Sequence, residues 1–184
     1  MKIVMFALAS AAGLLLAGGA SASVTVIGDS LAEDCSAAAF HGRFDDESIS
    51  ICTQAIQTSE LDRRDLAGTY INRGVMRIRR HDMEAARTDF DIAIKLDANL
   101  GEGWVNRGAV NVGEKHYQEG LADINHGLDL GVEEPAKAYY NRALAYEGLD
   151  DEKSAYLDYQ QAVSLEPKWD LPRKELLRFT VTRR

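Results

Sequence analysis

The sequence predicts an all-α chain, a right-handed solenoid of stacked helical hairpins, and three observations carry that prediction. First, Asn72-Arg73-Gly74 returns as Asn106-Arg107-Gly108 and again as Asn141-Arg142-Ala143, at steps of 34 and 35 residues. Second, small residues return in the same phase, Ala86 with Gly120 and Ala155, and Ala93 with Gly127 and Ala162. Third, a bulky ring leads each unit (Tyr70, Trp104, Tyr139). A fixed period near 34 marks helix pairs that cover their apolar faces only by stacking on one another.

Taken in order, the chain opens with Lys2 and an apolar run from Ile3 to Leu16, then Ala20-Ser21-Ala22, a small-x-small pattern. This is the form of a secretory signal peptide over 1–22, cut after Ala22. The run is short of the ~20 apolar residues that span a bilayer. Residues 23–30 follow as a flexible leader. Within it, Val24 to Ile27 is strand-like, and Asp29 or Ser30 is placed to cap the first helix. Residues 31–66 form a divergent hairpin: an alanine-rich helix from Leu31 to Phe40, an acidic turn at Asp45-Asp46-Glu47, a helix from Ser48 to Thr58, then the charged connector Glu60 to Asp65. The regular units run 67–100, 101–134 and 136–169. The middle one carries Gly120 and Gly127 in place of alanine, which lowers helix propensity by up to about 1 kcal/mol each and predicts the least rigid unit. Over 170–184, Asp170 and Pro172 open a capping helix expected from Arg173 to Val181.

The spacing over 67–169 resembles the tetratricopeptide repeat, a helix–turn–helix unit of 34 residues. The resemblance implies a protein–protein interaction module that binds an extended peptide in a concave groove without catalysis. It implies no cofactor and a protein or peptide partner. It also places Asn72, Asn106 and Asn141 on the inner helices, where a carboxamide offers a donor and an acceptor to a peptide backbone. The same register lines the groove with Ile71, Val75, Val105, Ala109, Tyr140, Leu144, Arg79 and Lys137. Recognition of a chaperone's acidic tail would need lysine where Ile71, Val105 and Tyr140 stand, so an extended segment with apolar side chains fits better. The leader itself, with Val24, Val26 and Ile27, is an alternative occupant.

Two further residue sets follow from the repeat register. Arg73 recurs with Asp89, Arg107 with Asp123, and Arg142 with Asp158, an expected ladder of structural ion pairs, since arginine's planar fork matches a carboxylate. The register alone leaves open whether each pair lies within a unit or bridges two. Aligning Cys52-x-x-Ala55 with Phe90-x-x-Ala93 puts Cys35 and Cys52 on facing helices. A disulfide there closes a loop of roughly 17 residues, worth about 3 kcal/mol in the loop-entropy picture, and suits an exported protein, periplasmic or secreted.

The chain has a net charge of −8, which disfavours nucleic acid and anionic membrane. No membrane span is expected once the signal is removed, and the oligomeric state is open between monomer and weak dimer. Its four histidines (His41, His81, His116, His126) lack the spacing of a helical metal pair. Gly28-Asp29-Ser30-Leu31 resembles the nucleophile block of the GDSL esterases, with Asp123 and His126 as the Asp-x-x-His of that family. The family's Gly-x-Asn-Asp block is missing, and no alternation of strands and helices follows to hold a triad. Esterase chemistry at Ser30 is therefore the remote alternative. An envelope scaffold or assembly factor acting by self-association is the nearer one.

Overall fold

The computed structural model describes residues 2–5, 21–27, 30–58 and 60–182. Most of the expected signal segment and the Gly28-Asp29 pair lie outside the described residues. Nine helices are described: α1 Ser30–Phe40, α2 Asp46–Thr58, α3 Arg63–Arg79, α4 Met83–Leu96, α5 Gly101–Gly113, α6 Tyr117–Leu130, α7 Pro135–Gly148, α8 Glu152–Leu165 and α9 Asp170–Leu176. They pair as α1/α2, α3/α4, α5/α6 and α7/α8, and each hairpin stacks on the next. No strand falls within residues 67–169.

The hairpins have local causes. Asp45, Asp62, Asp82 and Asp151 each accept a backbone N–H three residues on, from Ser48, Asp65, Ala85 and Ser154, capping α2, α3, α4 and α8. The Asp62 cap starts α3 at Arg63, so the expected connector over 60–65 is shorter and its charged end is helix. Each regular hairpin turns on a residue in the left-handed region at the same place in its unit: His81 (φ 63°), Lys115 (φ 67°) and Asp150 (φ 60°). None of the three is glycine. Buried small residues let the paired helices close: Ala86, Ala93, Ala143, Ala155 and Ala162 are all 1 % exposed or less.

In the middle hairpin, the glycines that lower helix propensity are required by contact. A Cβ on Gly127 would stand 2.6 Å from the Gly101 carbonyl oxygen, and one on Gly120 would stand 3.0 Å from that of Gly108. Helices α5 and α6 therefore meet backbone to backbone, a closer approach than alanine allows.

Cys35 and Cys52 are joined by a disulfide between α1 and α2. Around it Ala38, Ala39 and Met76 form a small core that ties this divergent hairpin to α3.

The C-terminus departs from expectation. Helix α9 stops at Leu176, and Phe179–Thr182 (β2) is a strand. Thr180, Val181 and Thr182 are β-branched, which favours extended backbone. That strand pairs antiparallel with Lys2–Met5 (β1), Ile3 opposite Val181. Trp169 and not Asp170 is the N-cap of α9. Trp169, Leu171, Leu176 and Phe179 pack onto the last hairpin's core, so α9 and β2 together form the C-terminal cap.

Candidate functional site: an asparagine-lined groove and its occupant

The inner helices α3, α5 and α7 present Asn72, Asn106 and Asn141, which are 0 %, 0 % and 4 % exposed. A buried carboxamide needs partners, and those of Asn72 and Asn106 are backbone groups of the N-terminal segment 21–27. Asn72 Oδ1 accepts from the Val24 N–H at 2.9 Å, and its Nδ2 donates to the Val24 carbonyl at 2.8 Å. Asn106 does the same to Ala22, at 2.9 and 2.7 Å.

The leader thus runs antiparallel to the repeat order, two residues for each repeat. Two extended residues reach about 7 Å, and residues two apart offer their N–H and C=O on the same side of the chain. One repeat is therefore matched by one dipeptide. Segment 21–27, which joins the end of the expected signal peptide to the expected flexible leader, is extended and held by side chains.

Further contacts fix its depth. The Ser36 hydroxyl on α1 donates to the Val24 carbonyl at 2.9 Å. Ser23 N–H donates to Glu134 Oε2, and the Thr25 hydroxyl donates to Glu133 Oε2, each at 3.0 Å. Val24 joins the core formed by Ile71, Val75, Ile78 and Phe90, while Val26 packs with Ala32 and Ala55. Gly68 makes the floor: a Cβ there would stand 2.9 Å from Val26 Cγ2. Ala22, Val24 and Val26 are at most 4 % exposed, whereas Ile27 is 78 % exposed.

The remaining groove positions divide into two groups. Ile71, Val75 and Val105 are buried in the hairpin cores; Ala109 and Arg79 are half-buried. In the third unit, Tyr140 and Leu144 lie beneath the C-terminal cap, with the Tyr140 ring 5.0 Å from that of Trp169. Burial raises the Tyr140 phenol well above its ordinary pKa. Glu147 beneath the same cap accepts from the Tyr159 hydroxyl at 2.7 Å and pairs with Arg178. Lys137 turns to Glu134 Oε1 at 2.5 Å. Glu102, Glu133 and Glu134 gather where the leader passes α5 and α7. Glu102 is 4 % exposed and accepts from the Glu133 N–H at 2.8 Å. Burial raises its pKa. The repeat register missed Ser36, Glu133 and Glu134, because they lie outside the regular inner helices. The doubled Glu before Pro135 was the only trace of the last two.

The arginine ladder lies within units, and it also crosses between them. Each guanidinium forks onto the aspartate of its own hairpin: Arg73 on Asp89 at 3.0 and 2.8 Å, Arg107 on Asp123 at 2.8 and 2.8 Å, Arg142 on Asp158 at 2.7 and 2.9 Å. The third nitrogen reaches back to the preceding hairpin, onto Thr53, Asp91 and Asn125 in turn. Those three residues share one repeat position. Each guanidinium also lies over the leading ring of its unit, Tyr70, Trp104 or Tyr139, at 5.3, 4.9 and 5.0 Å. One side chain therefore bonds its own hairpin, the previous hairpin and an aromatic face. The bond to Asp123 raises the Arg107 pKa further.

The esterase constellation does not assemble. Ser30 is the exposed first residue of α1, Asp123 is held by Arg107, and His126 stands edge-on to Trp104 at 4.5 Å. Among the described residues no cluster of His, Cys, Asp or Glu has the form of a metal site.

Residues 136–168 match the family model described as tetratricopeptide repeat. The fold is a tetratricopeptide-type solenoid. Solved structures agree over much more of the chain. The Arabidopsis OM64 TPR domain superposes with a TM-score of 0.58 at 22% identity, over 63% of this chain and 95% of that one. MamA from Desulfovibrio magneticus RS-1 superposes with a TM-score of 0.58 at 22% identity, over 82% and 84%. The second TPR domain of human RPAP3, solved in complex with the HSP70 peptide SGPTIEEVD, gives 0.52 at 22% identity, over 59% and 89%. No curated protein matches.

Proposed function

We propose that this protein is an exported, non-catalytic interaction module that holds an extended segment of a partner in its concave groove, with inner-helix carboxamides, that of Asn106 first, on the partner's backbone. One observation carries the reading: the chain's own segment 21–27 already lies there in that form, each asparagine giving one donor and one acceptor to one residue. Backbone recognition leaves side-chain choice to the floor, which accepts Ala22, Val24 and Val26 and so favours small or β-branched residues at alternate places. The RPAP3 domain holding a peptide lends support from the same fold. The acidic-tail chemistry of an HSP70 peptide does not transfer, since Ile71, Val105 and Tyr140 offer no cation.

A photo-reactive residue at Ala109, compared with one at Leu157, tests the reading in the exporting cell. Cross-links from position 109 to a partner's extended segment, lost with Asn106→Ala, support it. Partner cross-links from Leu157 alone overturn it. The scaffold reading draws on the groove being occupied. It would act through exposed apolar side chains elsewhere, such as Leu157 and Leu165 at 45 % and 44 % exposure. Light scattering that finds a concentration-dependent oligomer would favour it.

A further inference from the structure

The expected scissile bond, Ala22–Ser23, lies between the two asparagine clamps. Upstream, Ala22 belongs to Asn106; downstream, Val24 belongs to Asn72. The nitrogen that cleavage would release, that of Ser23, already donates to Glu134 Oε2 at 3.0 Å. As an amide it is neutral, yet Glu133 and the buried Glu102 lie on the same side. The basic group bonded to Glu134 is Lys137, on the other carboxylate oxygen.

We propose that Glu134 is a receptor for the α-ammonium of Ser23, and that a chain processed after Ala22 folds with a docked N-terminus beside an open clamp, where the uncut chain folds with one continuous strap. In the cut, an export endopeptidase directs water to the Ala22 carbonyl carbon and the C–N bond breaks. Ala22 leaves as a carboxylate, and the Ser23 nitrogen takes up a proton to become an ammonium. Its bond to Glu134 then joins opposite charges, where the amide's carries charge on the acceptor alone. Segment 23–27 stays on Asn72, Ser36 and Glu133. Asn106 exchanges both partners for water, and its paired donor and acceptor are left open to the next extended backbone to arrive. The cut precedes folding, because Ala22 is 0 % and Ser23 2 % exposed in the folded chain. It also removes Lys2–Met5, so Phe179–Thr182 loses its strand partner. The proposal rests on cleavage at this bond and needs no external partner. Its failure and that of the groove reading are therefore distinguishable.

The test uses protein recovered from the exporting cell. Intact mass should place the N-terminus at Ser23. The α-amine, followed by NMR after ¹³C reductive methylation, should titrate above its ordinary value of about 7.7–8.0, because the carboxylate favours the charged form. Glu134→Gln should return it to that range, and Glu133→Gln should leave it raised. In the processed protein, the Asn106 side-chain amide should exchange at least tenfold faster than in the uncut chain, with Asn72 unchanged. A different N-terminus overturns the proposal. So does an amine that titrates alike in wild type and Glu134→Gln, with circular dichroism confirming that both are folded. Equal Asn106 exchange before and after cutting also overturns it.

Discussion

Asn106 holds Ala22 from both sides of one peptide unit pair, its Oδ1 on the Ala22 N–H and its Nδ2 on the Ala22 carbonyl, 84 residues away in sequence. Neither group has water to fall back on, since both residues are fully buried. Asn106→Ala in the uncut chain should therefore leave two backbone groups unsatisfied, at a cost of about 1–3 kcal/mol each. Hydrogen exchange at Ala22 should rise at least tenfold while Val24 changes less; Asn72→Ala should reverse that order. Equal exchange at both residues in both variants would show that packing, not the carboxamides, holds the leader.

The arginine ladder predicts a non-additive mutant series. Arg107→Ala leaves the Asp123 carboxylate to the neutral Asn111 amide and removes the link to Asp91, so a loss of about 3 kcal/mol is expected, the low end for a buried pair because the Arg107 side chain is 23% exposed. The double change Arg107→Met with Asp123→Leu should cost less than Arg107→Ala alone. Arg107→Lys should recover little, lacking the fork and the stacking plane over Trp104. Urea denaturation of the four proteins measures this, and a double variant less stable than Arg107→Ala would refute it.

Lys115 stands in the left-handed region at the turn between α5 and α6. An L-residue there costs roughly 1–2 kcal/mol, part of which glycine returns as chain entropy on folding. Lys115→Gly should raise stability by about 0.5–1 kcal/mol, and His81→Gly should do the same. Thermal melts that fall on either substitution would show that the side chains contribute contacts outweighing the backbone strain.

Burial raises the pKa of Glu102 and of Glu175 above the ordinary carboxylate value of 4.5. The folded chain thus binds protons that the unfolded chain has released. These two groups make stability fall as pH rises from about 4.5 through their raised folded values. Glu102→Gln keeps an acceptor for the Glu133 N–H and removes the titration. Its stability-versus-pH curve should be flatter than wild type over that window and level with it below. A variant curve parallel to wild type throughout would exclude Glu102 as a source of the slope.

The disulfide closes a loop with a sequence separation of 17. Cys35→Ala with Cys52→Ala should lower stability by about 3 kcal/mol. The effect should appear first at α1 and α2, which have a full repeat on one side only. Exchange that rises equally in α7 and α8 would mean that the hairpins melt as one unit.

Much of this architecture was legible in the residues. The period of 34, the ring at the head of each unit and the small residues between helices place α3 to α8, and the Arg–Asp pairs follow from the same phase. Less visible was the third arm of each arginine, because Thr53, Asp91 and Asn125 share a position while differing in chemistry. The C-terminal strand was hidden by apolar spacing that helices also show; its partner, Lys2–Met5, lies at the far end of the chain. The groove could be placed by register. The leader's apolar residues marked it as an alternative occupant, but the register could not choose it over a partner, since local residues say nothing about which distant backbone an asparagine will hold.

The match of one repeat to one dipeptide makes the groove a ruler with fixed graduations. A single residue inserted between Ala22 and Val24 could not be absorbed by sliding. It would turn every later side chain over, bringing Thr25 against Gly68 and lifting Val24 into solvent. Any chain that competes for these asparagines must keep the same even count, whatever its side chains.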